Sequence, residues 1–161
     1  MDSTDRVDQV DRIDNERPAE LPPEKPAHRH VTLHREETGH YLLTNARGGT
    51  LSVGGSEHDF TAVELLLSGI AACTSADVDY VTARRAVPEF FDVDVDAHKV
   101  ADEQGNHLDD IVVTFRVAFP EGAEGDAARR ILPDIVGKSH DRLCTVSRTI
   151  MLGTDIRTVV H

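Results

Sequence analysis

Basic side chains are scarce in this chain: 17 lysines and arginines stand against 29 aspartates and glutamates, a formal charge of -12 at pH 7. Phosphate contacts need clustered Lys and Arg, so no nucleic-acid partner is expected. Long apolar runs are missing as well. No segment approaches the roughly 20 apolar residues of a membrane span, and no membrane partner is expected. The N-terminal residues are acidic and lack the apolar stretch of a secretory signal, which makes the cytoplasm the expected compartment. Cysteine is limited to Cys73 and Cys144. In a reducing compartment such a pair does not form a permanent structural bridge, and any bond between them is expected to be transient and catalytic. Gly48-Gly49 and Gly54-Gly55 lack the Lys-Ser/Thr that follows a phosphate loop, so they read as turn glycines. Four of the nine histidines fall at 28, 30, 34 and 40. No Cys or carboxylate spacing around them matches a zinc pattern, and neither a metal nor a cofactor is expected.

What is present fits a single globular domain behind a tail. The 161 residues are 39% apolar and 29% charged, enough to bury a core without staples. Residues 1–29 stand apart. Aspartate recurs at positions 2, 5, 8, 11 and 14, and prolines fall at 18, 22, 23 and 26. With few large apolar side chains to offset ordering entropy, this reads as a disordered or loosely docked acidic arm. Residues 30–161 form the expected domain.

Within that domain the pattern predicts three strands, a helix, a hairpin, a second helix and two closing strands. Val31 and Leu33, then Tyr41–Thr44, flank a turn at Glu37–His40, and Thr50–Val53 follows the Gly48-Gly49 turn. Thr61 and Glu64 form a Thr-x-x-Glu capping box ahead of the apolar run Leu65-Leu66-Leu67. The helix is expected to continue past Val81 to Arg85, with Pro88 beyond its end. Val93, Val95 and Ala97 alternate with Asp92, Asp94 and Asp96. Gly105-Asn106 is expected to turn this strand into a second, where Ile111, Val113, Phe115, Val117 and Phe119 alternate with polar residues. Asp126 is expected to cap a helix running to about His140 with a kink at Pro133. Thr145–Leu152 and Ile156–Val160 are expected as strands. The order βββ-α-ββ-α-ββ is α+β, with helices packed on antiparallel sheet.

Cys73 sits in the capped helix, with Leu66, Ile70, Asp77 and Val81 near its face. A thiol there is commonly an inert core residue. A reactive one needs a cation or donor nearby to lower its pKa. Arg142 and Arg148 lie close to Cys144 in sequence, and Arg35 and Arg47 precede the helix.

The stretch Phe60-Thr-Ala-Val-Glu-Leu-Leu-Leu, then Ala71-Ala-Cys-Thr, with a second cysteine some 70 residues on, resembles the OsmC/Ohr superfamily. These are the osmotically inducible and organic-hydroperoxide-resistance proteins. Asp77-Val-Asp-Tyr, the two-strand segment 91–119 and Leu143-Cys-Thr-Val-Ser carry the resemblance further, over about residues 30–160. It implies an intertwined homodimer with sheets wrapped around long central helices. It also implies reduction of organic hydroperoxides by a thiol. Carried over by position, Cys73 is the peroxidatic thiol and Cys144 the resolving one. A lipoyl or thioredoxin-like dithiol would then reduce the pair. Peroxidatic members stabilise the thiolate with an Arg paired to a Glu near the helix start. Arg35 matches that Arg best, with Arg47 second.

The sequence departs from that pattern at one position. Those members place the Glu ten residues before the first cysteine, where this chain has Val63. Glu64, nine before, falls on the opposite side of the helix from Cys73 and reads as the cap. The chain is closer to the Val-Glu-Leu-Leu-Leu branch of OsmC-like proteins. Three readings therefore stand: the thiol peroxidase; a non-enzymatic protein binding a small apolar or thiol ligand at the dimer crevice; and a purely structural Cys73.

Overall fold

A computed structural model describes residues 28–160. The acidic arm expected over residues 1–29 lies outside the described residues, save its last two. Strands β1 (Val31–Glu37), β2 (His40–Asn45) and β3 (Thr50–Gly54) form one antiparallel sheet in the order β1-β2-β3. Leu33 faces Leu43, which faces Leu51; Arg35 faces Tyr41, which faces Val53. Period-two alternation therefore gathers Val31, Leu33, Leu43 and Leu51 on one face together with Arg35. Val31 is 67% and Leu33 52% exposed. The three strands pack on one another and have no substantial packing against a helix. Gly54 ends β3 at φ 105°. A Cβ at that position would also run into the Gly39 carbonyl oxygen, so glycine is required twice over.

Helix α1 (Ala62–Thr82) begins as the sequence predicts. The Thr61 hydroxyl accepts the Glu64 N–H at 3.2 Å, and the Glu64 carboxylate accepts the Thr61 N–H at 2.7 Å. The helix stops at Thr82, short of the expected Arg85, and the chain turns through Ala83 before Pro88. Its buried stripe is Ile70, Thr74, Val78 and Thr82, every fourth residue. The two threonines bury their hydroxyls by donating to the carbonyls of Ile70 and Val78, each at 2.9 Å.

Strands β4 (Phe90–Asp102) and β5 (Gly105–Ala118) make the second antiparallel sheet. Val93 pairs with Phe115 and Val95 with Val113, and this apolar face packs on α1. Asp94 on the wet face pairs with Arg116. The turn falls at Glu103-Gln104, with Gly105 and Asn106 already in β5. An Asp102 carboxylate oxygen accepts the Gln104 N–H at 2.8 Å and closes the turn two residues earlier than expected.

Helix α2 (Ala123–Lys138) starts from Gly122 at φ 107°, not from Asp126. Asp126 instead lies in the first turn and binds Arg129 at 2.6 Å. Gly122 is the one residue there that adopts the entry conformation without strain. The helix runs through Pro133, and its Ala128 and Leu132 pack with Ala86 and Phe119 in the core.

The C-terminal expectation is overturned. Ser139–Leu143 is a π-helical turn, and Thr145–Met151 is helix α3 rather than a strand. The Thr149 hydroxyl donates to the Thr145 carbonyl at 2.7 Å, and Cys144 caps the first turn, which offsets the strand preference of Thr, Val and Ile. Ile156–Val160 is not a strand and has no sheet neighbour; Ile156 is 93% exposed.

Candidate functional site

Cys73 lies midway along α1 and is half-buried; Cys144 is fully buried between the π-turn and α3. Tertiary packing brings these thiols, remote in sequence, close enough for Cys144 to disfavour ionisation of Cys73. Gly69 faces α3. A Cβ there would meet Val146 Cγ1 at 3.8 Å, so α3 lies directly across α1 one turn before Cys73.

The first turn of α3 lies beside both sulfurs. The Ser147 N–H donates to Cys144 Sγ at 3.3 Å. The N–H groups of Val146 and Thr145 lie near enough to Cys73 to favour its thiolate. Burial is the larger influence on the Cys73 thiol and pushes its pKa up. The N–H of Val146 opposes that rise, the Cys144 thiol adds to it, and the N–H of Thr145 opposes it more weakly. Among the described residues no guanidinium acts on this sulfur.

The remaining sequence-predicted residues stand elsewhere. Arg35 projects from exposed β1 and donates to the Thr38 hydroxyl at 2.8 Å. Arg47 is an exposed turn residue whose main-chain N–H donates to Asn45 Oδ1 at 2.8 Å. The Glu64 carboxylate is occupied by Thr61, and those bonds hold its pKa below the ordinary range. Sequence reasoning missed one polar contact close to the thiols. The Ser139 hydroxyl donates to an Asp77 carboxylate oxygen at 2.8 Å, with Ser139 only 1% exposed. The four-residue step from Cys73 already puts Asp77 on the same helix face; nothing in the sequence singles out Ser139. No group of three or more metal-ligating side chains converges among the described residues, and none of their helices is long and apolar enough to cross a membrane.

The arrangement is two neighbouring thiols, the second held by a main-chain donor, and such proximity is what a reversible dithiol–disulfide pair requires. Residues 54–159 match the family model described as OsmC-like protein. No curated protein sequence matches the chain. A hypothetical protein from Aquifex aeolicus is 18% identical and superposes with a TM-score of 0.63 over 80% of this chain and 90% of its own. An OsmC-like protein of unknown function from Vibrio cholerae is 10% identical, with a TM-score of 0.64 over 77% and 94%. An organic hydroperoxide resistance protein OsmC from Legionella pneumophila is 18% identical, with a TM-score of 0.52 over 78% and 91%. At these identities the shared feature is the fold, α+β with antiparallel sheets and helices.

Proposed function

The chain belongs to the OsmC-like protein family, and on that premise we propose that it is a thiol-dependent peroxidase protecting against organic hydroperoxides. The observation that carries the reading is the proximity of the Cys144 thiol to Cys73. The Cys73 thiolate attacks the distal oxygen of a hydroperoxide, breaking the O–O bond; the alcohol leaves with a proton and Cys73 becomes a sulfenic acid. The Cys144 thiol then condenses with it, forming the disulfide and releasing water. A lipoyl or thioredoxin-like dithiol returns both cysteines to thiols by exchange, becoming a disulfide itself.

The working form in this reading is a homodimer. The apolar face of the first sheet, left open by the chain's own helices, supports it, because an exposed apolar sheet face of this kind marks an interaction surface. Arg35 shares that face with Val31 and Leu33. Covering it with a second copy is the route by which a guanidinium reaches a Cys73 thiol that has none beside it among the described residues of its own chain.

Catalysed loss of cumene hydroperoxide with dihydrolipoamide as reductant tests the reading. Wild type is expected to turn over and Cys73→Ser to be inactive. Thiols that remain unoxidised under excess hydroperoxide would sink it. The raised Cys73 pKa favours a second reading, a non-enzymatic protein whose dimer crevice binds a small apolar or thiol ligand. Ligand binding with no thiol oxidation identifies that case.

A further inference from the structure

Ser139 grips both cysteine-bearing segments at once. Its hydroxyl donates to Asp77 on α1 at 2.8 Å, and its carbonyl accepts the Cys144 N–H at 3.0 Å. Asp77 lies four residues beyond Cys73, one helical turn along the same face. The second bond, from residue 144 back to residue 139, is the five-residue step that defines the π-turn. A continuous path therefore runs from Cys73 along one turn of α1 to Asp77, across to Ser139, and through the π-turn to Cys144. An ordinary helical turn would not bring the Cys144 N–H onto the Ser139 carbonyl. With Ser139 1% exposed, its hydroxyl has no solvent to replace a lost partner.

We propose that the Asp77–Ser139 hydrogen bond and the π-turn it anchors are the positioning device that sets the Cys144 sulfur against Cys73. They govern the step in which the Cys73 sulfenic acid and the Cys144 thiol become a disulfide and water. This rests on the dithiol reading above. Ser139 and Asp77 act through Cys144 and touch no substrate.

The test is the equilibrium between the full-length protein and defined mixtures of glutathione and glutathione disulfide. The readout is the disulfide-bonded fraction, measured by mass spectrometry after acid quench. Two protein thiols exchange with one glutathione disulfide to give the internal disulfide and two glutathiones. Ser139→Ala and Asp77→Ala are expected to lower the effective concentration of the thiol pair by about tenfold, a shift of about 30 mV to a less negative potential. Asp77→Asn keeps an acceptor oxygen for the hydroxyl and is expected to hold the wild-type potential, which separates positioning from charge and from general loosening. A wild-type potential in Ser139→Ala, with its folded circular-dichroism spectrum intact, overturns the proposal alone. A wild-type protein that forms no internal disulfide overturns both this proposal and the dithiol reading. Should Ser139→Ala fail to fold, Asp77→Asn sharing the potential of Asp77→Ala overturns it instead.

Discussion

Glu64 and Thr61 bind each other in both directions: the carboxylate takes the Thr61 N–H at 2.7 Å and hydroxyl at 2.8 Å, while the Thr61 oxygen takes the Glu64 N–H at 3.2 Å. This fixes the start of the helix that carries Cys73. It also removes Glu64 from any role at the thiol, which lies on the other side of the helix.

The first prediction concerns this cap. Thr61→Ala is expected to cost about 1 kcal/mol in urea unfolding at neutral pH. The Thr61 bonds hold the folded Glu64 pKa below its unfolded value. Its contribution to stability is therefore present above the ordinary carboxylate pKa of about 4.3 and lost as pH falls through the depressed folded value. Wild type and Glu64→Gln should accordingly converge in stability as the solution is acidified over that window. A gap that stays constant into strong acid would contradict the assignment.

A second prediction follows from the Cys73 thiol, raised chiefly by burial. Iodoacetamide labelling of Cys73 in dilute monomer should reach half its maximal rate above about pH 8.5, the ordinary thiol value. The neutral folded thiol stabilises the native state at neutral pH, and that contribution disappears as pH rises through the raised value. At concentrations that populate the dimer, the proposed approach of Arg35 should move the profile to lower pH. Arg35→Met should cancel that movement. A profile independent of both concentration and Arg35 leaves the thiol without its cation and favours the ligand-binding reading.

The third prediction addresses the open sheet face. Leu33→Asp would bury an unpaired carboxylate at the proposed interface and should weaken dimerisation by roughly a hundredfold or more, read by light scattering on a sizing column. Thr32→Asp, on the opposite face, should leave the dimer intact. Equal behaviour of the two variants would argue against this face as the contact.

Much of the fold was readable where a local pattern had no competitor. Thr61-x-x-Glu64 ahead of Leu65–Leu67 has one sensible outcome, and the alternation through Val93, Val95, Val113 and Phe115 fixes a hairpin with one wet face. The readings failed where neighbours in space decided. Thr145–Leu152 has the composition of a strand, yet Cys144 caps it as a helix that packs across α1 beside Cys73. Asp126 is a good capping residue, but Gly122 takes the cap with a positive φ and Asp126 pairs with Arg129 instead. Arg35 matched by distance along the chain; in the fold it sits in a sheet with no substantial packing on α1.

The amino-acid order alone determined which segments are helix or hairpin around residues 60–118, because periodicity and capping act within a few residues of each other. It also marked the two cysteines as the residues to follow. Only the tertiary structure decided that the thiols are neighbours, that Ser139 reaches Asp77, and that no cation of the same chain lies beside Cys73 among the described residues. Those outcomes depend on how α1, the π-turn and α3 pack together, and packing across some 70 residues leaves no periodic trace in the sequence.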